Sequence, residues 1–294
     1  SVALRIHSVG GWGAITMGKN LALTLSDLIG LHVKANPKYG SEKKGQPTTF
    51  YAVLSRKPLR LNCNLKHVNV VLSPDPNVFR HSNALAGLAE GGVFVIQSDQ
   101  SAEALWNGLP PRARDTIRER KIEVFHLDAF GIARAEASEL ELQYRMQGAA
   151  FQGALFAASP LMKREQLTED ALFEAIRSQL QKKFGHRGER VVEDNYRVIR
   201  RGFTEVCRLD WAALPFESVA PATTKATLRL PVVTPGEPGV GDPRRFFDQV
   251  CALYQSGQDP IADPFAALSA MPVATSAFRD MTGIRFEVPQ FVAE

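Results

Sequence analysis

Ala3-Leu4-Arg5-Ile6-His7-Ser8-Val9-Gly10-Gly11-Trp12-Gly13, running directly into Ala14 to Ile29, is the stretch from which the fold is read. Ala3 to His7 reads as a short strand. Gly10, Gly11 and Gly13 make a turn, and Ala14 to Ile29 carries apolar residues at helical spacing up to Gly30. In a strand, glycine turn and helix unit the backbone N–H groups of the first helical turn face the turn, and glycine lets another group approach them closely. That is a place for a phosphate. Ser8 stands just before the turn, with a hydroxyl suited either to donating to a phosphate or to capping the helix.

Working outward, Leu31 to Ala35, Thr48 to Leu54, Val68 to Leu72, Gly92 to Ile96 and Lys121 to Phe125 read as further strands. Helical segments are expected at Asn77 to Ala89, Ser101 to Trp106 and Pro111 to Glu119. Strands alternating with helices imply an α/β fold: a Rossmann-like, mostly parallel sheet with helices on both faces and ligands at the carboxyl ends of its strands. Beyond Leu127 the strand signal stops. Ala137 to Ala158, Glu165 to Lys183 and Gly188 to Val206 form a helical cap. From residue 211 onward Pro215, Pro221, Pro231, Pro235, Pro238 and later prolines interrupt every pattern, so 211–294 is expected to be an extended arm with one helix near Arg244 to Tyr254. The expected division is 1–210 for the sheet and cap, and 211–294 for the arm.

With 45% hydrophobic residues among 294, the chain has ample material for a buried core. A formal charge of +4, with arginines such as Arg112, Arg114 and Arg197 spread along helical stretches, gives no dense basic stripe for nucleic acid. Cys63, Cys207 and Cys251 lie far apart in sequence, so no zinc or iron–sulfur spacing is present, and their sparse use suits a reducing cytoplasm. No apolar run approaches the roughly 20 residues that span a bilayer, and no charged-then-apolar leader precedes the first strand. The chain opens with Ser1 at a strand, as a piece of a longer protein would.

A second loop, Tyr39-Gly40-Ser41-Glu42-Lys43-Lys44-Gly45-Gln46-Pro47, adds two mobile ammonium groups to the phosphate site of the turn. Together they point to a polyanionic ligand. A nicotinamide enzyme would place Asp or Glu about 20 residues beyond the turn to hold the ribose hydroxyls. Here Lys34, Asn36 and Lys38 stand instead, which argues against NAD and leaves NADP open. The alternative to a ligand turn is a glycine turn that only packs helix against strand. For Lys43 and Lys44 it is a solvated loop. His7 and His81 lack a nucleophile elbow or a carboxylate pair, so no catalytic residue and no metal site is assigned.

These residues resemble the third domain, or gamma subunit, of the pyruvate:ferredoxin (2-oxoacid:acceptor) oxidoreductases. The resemblance rests on the glycine turn, Gly40-Ser41-Glu42-Lys43-Lys44-Gly45, Gly91-Gly92-Val93-Phe94-Val95-Ile96 and Phe184-Gly185-His186-Arg187-Gly188-Glu189-Arg190-Val191-Val192. Met271 to Phe278 and Val288 to Val292 resemble the segment leading toward the ferredoxin-like domain of the fused enzymes. The resemblance implies a share in binding coenzyme A, with Ser8, Gly10, Gly11, Gly13, Lys43, Lys44 and Gly45 as its residues here. Two departures stand out: Ser8 replaces the first glycine of the usual turn, and Gly45-Gln46-Pro47 replaces the usual paired glycines. It further implies thiamine diphosphate, Mg and iron–sulfur clusters in partner domains, a ferredoxin or flavodoxin acceptor, a homo-oligomer, and no activity for the isolated chain. A nicotinamide-dependent oxidoreductase and a non-catalytic assembly module are the competing functions.

Overall fold

The computed structural model describes residues 1–38, 47–60, 65–137, 140–214, 239–251 and 262–275. The chain falls into two units, Ser1–Pro76 with Gly87–Pro215, and Asn77–Ala86 with Phe216–Glu294. In chain order the first contains β1 (Val2–Val9), α1 (Ala14–Ile29), β2 (His32–Lys38), β3 (Pro47–Ser55) and β4 (Val68–Ser73). The short α2 (Val78–His81) belongs to the second unit. Back in the first come β5 (Leu88–Gln97), α3 (Ala102–Gly108), α4 (Pro111–Glu119), β6 (Glu123–Leu127) and α5 (Ala129–Glu136). Next in the chain are α6 (Leu140–Ala158), α7 (Leu161–Arg164), α8 (Glu169–Phe184), α9 (Glu189–Glu205) and β7 (Cys207–Leu209).

The sheet runs β2-β3-β1-β4-β5-β6-β7. Parallel ladders join β1 to β4, β4 to β5 and β5 to β6, while β3 is antiparallel to both β1 and β2, and β7 is antiparallel to β6. Five strands therefore point one way and two the other, so the α/β class with a mostly parallel sheet holds. The period of two sorts side chains cleanly. Leu4, Ile6, Phe50, Leu72, Val93 and Val95 enter one core with α1, α5, α6, α8 and α9. Val71, Phe94, Ile96 and Val124 alternate to the other face, and the buried Leu105, Trp106 and Ile117 of α3 and α4 also lie outside that core.

Several expectations are corrected. The helix expected over Asn77 to Ala89 is one turn long. It stops because Ser82 is extended and Asn83 accepts a hydrogen bond from Leu85 N at 3.2 Å, a turn chemistry that competes with the helix, and β5 already begins at Leu88. The strand expected to start at Lys121 starts at Glu123, since Lys121 has φ 51°. β7, three residues on the sheet edge, gave no periodic signal and is visible only through its pairing with β6. The cap begins earlier than expected, with α5 at Ala129. Beyond these, β3 turns back and inserts between β1 and β2.

In the second unit, α10 (Pro243–Phe246) continues as a π-helical turn over Phe247–Cys251, and α11 spans Pro264–Ala267. Residues 252–254 of the helix expected there lie outside the described residues. Arg245 ties these pieces together: it donates to Gln249 Oε1 at 2.7 Å, to the Val240 carbonyl at 2.6 Å and to the buried Asp263 carboxylate.

Candidate functional site at the carboxyl edge of the sheet

β1 and β4 are neighbours, yet the chain leaves β1 toward β2 and β3 and leaves β4 toward β5 and β6. The carboxyl ends of this pair form the topological switch point of the sheet, where an open α/β fold leaves a crevice for a ligand. Two connections border it. One is the Gly10–Gly13 turn after β1. The other is Pro74-Asp75-Pro76 after β4, where Ser73 Oγ donates to the Asp75 carbonyl at 2.8 Å and both side chains are buried.

The glycines of the first connection have distinct reasons. Gly11 and Gly13 sit at φ 97° and 84°, a region that favours glycine. Trp12 N donates to the Val9 carbonyl at 3.1 Å, which closes the turn. Gly13 is the N-cap of α1, and no side chain accepts from the first helical turn, so its N–H groups are left for a ligand or solvent. Gly10 is half-buried and Gly11 exposed. On the other side the turn is packed: a Cβ on Gly13 would lie 2.6 Å from the Arg145 carbonyl oxygen of α6, and Trp12 meets Phe130 edge to face at 5.3 Å.

Ser8 does not cap the helix. It is 1% exposed, shares the helix-facing side of β1 with Leu4 and Ile6, and its Oγ has no hydrogen-bond partner. Lys43, Lys44 and Gly45 lie outside the described residues, which cover their two flanks. Lys38 pairs with Thr49, and Pro47 pairs with Val9, the last residue before the turn. Lys38 and Pro47 thus stand at the same edge of the sheet as Gly10–Gly13. Lys38 is half-buried, and burial lowers its pKa from the ordinary lysine value.

Two buried glutamines were not legible as site residues. Gln97 ends β5 on the core-facing side, after Val93 and Val95. Its Oε1 accepts from Ala129 N at 2.8 Å and Phe130 N at 3.3 Å, and its Nε2 donates to Asp128 Oδ1 at 3.2 Å. Asp128 in turn caps α5 by accepting from Gly131 N at 2.9 Å. Gln147 of α6 is fully buried, with neither side-chain atom partnered. A polar residue at a core phase, two beyond Val95 or four before Phe151, was the available signal. Among the described residues no group of three His, Cys, Asp or Glu side chains is placed to hold a metal ion.

A family model described as pyruvate ferredoxin/flavodoxin oxidoreductase matches residues 3–205. The gamma subunit common to the pyruvate/ketoisovalerate oxidoreductases of Thermococcus kodakarensis is 26% identical to this chain over 66% of it and 95% of the relative. The pyruvate:ferredoxin oxidoreductase of Moorella thermoacetica is 21% identical over 99% of this chain, which spans 23% of that larger protein. A solved pyruvate oxidoreductase subunit from Thermotoga maritima superimposes with a TM-score of 0.53 at 21% identity, covering 70% of this chain and 97% of that one, and so shares the fold.

Proposed function

This chain belongs to the pyruvate ferredoxin/flavodoxin oxidoreductase family, and on that premise we propose that it is the gamma-type part of a 2-oxoacid oxidoreductase that binds and orients coenzyme A. The observation that carries the reading is the pairing of Val9 with Pro47, which sets residue 47, the described flank of the segment that carries Lys43 and Lys44, next to the strand end that leads into the uncapped N-terminus of α1. The helix end offers fixed N–H donors and the two lysines positive charge, a combination suited to a diphosphate with a further phosphate. Coenzyme A has both. The part played by this chain is to hold that anion so that the thiol is presented to the reacting centre of a partner domain. Thiamine diphosphate, Mg and iron–sulfur clusters supply the oxidative chemistry from partner domains, with a ferredoxin or flavodoxin as acceptor, in a cytoplasmic homo-oligomer. Among the described residues no helix is long and apolar enough to cross a membrane.

The nicotinamide reading loses support from the strand order. With β3 between β1 and β2, the end of β2 is displaced from the glycine turn by two strand spacings, about 10 Å, so a ribose-binding group there is out of reach. The assembly-module reading is favoured by one observation, the packing of Gly13 and Trp12 against α6 and Phe130. One experiment separates it from coenzyme A binding. In the assembled enzyme, changing Lys43→Glu and Lys44→Glu together should weaken the apparent affinity for coenzyme A on the order of 100-fold, less at high salt, as attraction becomes repulsion. Release of CO2 from the 2-oxoacid without coenzyme A should persist. An unchanged coenzyme A dependence at low salt would leave the assembly reading standing.

A further inference from the structure

We infer that the half-buried ring pair of Trp12 and Phe130 seats the purine base of coenzyme A, beside the helix start that takes its phosphates. The inference rests on the coenzyme A reading above and extends it from the phosphates to the base.

Two helix starts meet at this edge of the sheet, and they differ. Trp12 stands two residues before α1 and Phe130 is the second residue of α5, so their contact at 5.3 Å joins the two. The first turn of α1 has no side-chain cap. In α5 the first four N–H groups are all taken: Ala129 and Phe130 donate to Gln97 Oε1, Gly131 to Asp128 Oδ1 at 2.9 Å, and Ile132 to the Asp128 carbonyl at 3.0 Å. An anion is therefore drawn to α1, and what α5 adds beside it is the Phe130 ring.

The ring pair is fixed but not buried. Trp12 sits between Gly11 at φ 97° and Gly13 at φ 84°, its N–H closes the turn onto the Val9 carbonyl, and its indole meets Phe130 at an interplanar angle of 86°. The pairs Trp106–Trp211, Phe173–Tyr196 and Phe173–Phe203 each contain one buried ring, as packing alone would favour. Neither Trp12 nor Phe130 is buried. In an edge-to-face pair the ring that presents its edge keeps both faces outside the pair, and a third ring can lie on one of them. The conformational cost of ordering such a platform is met before a ligand arrives.

An uncapped helix start and an aromatic pair in one turn are an anionic pole beside a planar apolar one. A nucleotide has the same two poles, separated by one ribose, and every base has a π face that stacks on aromatic side chains. The pantetheine arm has no ring to offer. The base of coenzyme A is thus the part of the ligand that the pair fits.

The test uses the assembled oxidoreductase, with coenzyme A as substrate and its adenosine bisphosphate portion, which lacks the pantetheine arm, as inhibitor. Trp12→Leu fills space against Phe130 but has no π face. It should raise the KM for coenzyme A and the inhibition constant of the bisphosphate each about tenfold, within the range for one lost base stack, with a smaller effect on kcat. Trp12→Phe keeps a ring and should restore most of both constants. Phe130→Leu should move them as Trp12→Leu does, and it carries the test if that variant assembles poorly. If the leucine and phenylalanine variants of Trp12 match each other in both constants, the ring serves packing alone and the inference is overturned. It is equally overturned if the bisphosphate does not inhibit the unaltered enzyme. Failure of Lys43→Glu with Lys44→Glu to change coenzyme A dependence would instead strike the functional reading itself.

Discussion

Gln97 does for α5 what that helix cannot do for itself. The first N–H groups of a helix have no partner within it, and here the side chain of Gln97 accepts two of them, from Ala129 and Phe130, while Asp128 accepts a third from Gly131. Gln97→Leu is close in size but leaves those donors buried without an acceptor and breaks the Nε2 contact to Asp128. We expect it to lower unfolding free energy by about 1–3 kcal/mol, read by urea denaturation. Loss well below that range would mean that water replaces the amide. Sequence showed Gly11 and Gly13 as a turn because glycine has a local signature. It could not show that Gly13 also admits the Arg145 carbonyl, because that neighbour lies far along the chain.

Among elements, α6 and α9 make the closest pair in the cap, with Gly153 against the Ile199 backbone and Gly202 against the Ala150 backbone. α9 is also tied to α5. Glu136 accepts from Arg197 Nε at 2.8 Å and from Arg201 Nη1 at 3.0 Å. The Arg197 hydrogen bond is the leading cause that holds the Glu136 carboxyl below the usual carboxylate range, with Arg201 adding to it and burial opposing. A carboxylate lowered on folding adds stability above its unfolded pKa, and that stability fades as pH falls through the folded value. Glu136→Gln should therefore cost roughly 1 kcal/mol or less at neutral pH, because the pair is partly solvated, and nothing at strongly acid pH. Denaturation curves for both proteins from neutral to acid pH should converge. A gap that stays constant with pH would show that lost packing, not charge, sets the difference.

At the scale of the molecule, the sheet-bearing unit runs on to Pro215. Trp211 is the reason it passes residue 210: its ring stacks on the fully buried Trp106 at 6.4 Å and its Nε1 donates to the Ile122 carbonyl at 2.9 Å. We expect a chain ended after 215 to unfold cooperatively, with the sheet core intact. A chain ended after 210 should be less stable by about 1–3 kcal/mol, the scale of one stacked aromatic and its hydrogen bond. Hydrogen exchange and urea curves on the two chains check this. Equal stability would mean that Trp211 contributes little, and an unfolded 1–215 chain would mean that the sheet relies on residues 216–294.

Sequence by itself determined the succession of strand and helix, the α/β class, the glycine turn and the apolar faces of the cap, since each follows from periods of 2 and 3.6 or from the local conformational needs of glycine. Segment ends failed where a single residue decided them, as at Ser82 and Lys121. Only the tertiary structure decided that β3 turns back between β1 and β2, that β7 closes the other edge, and that the switch point lies between β1 and β4. It also decided that Ser8 and Gln147 are buried without partners. The physical reason is common to these cases: a strand satisfies its hydrogen bonds with a neighbour running either way, and a side chain is buried or exposed by residues distant in the chain, so neither choice is written in the local pattern.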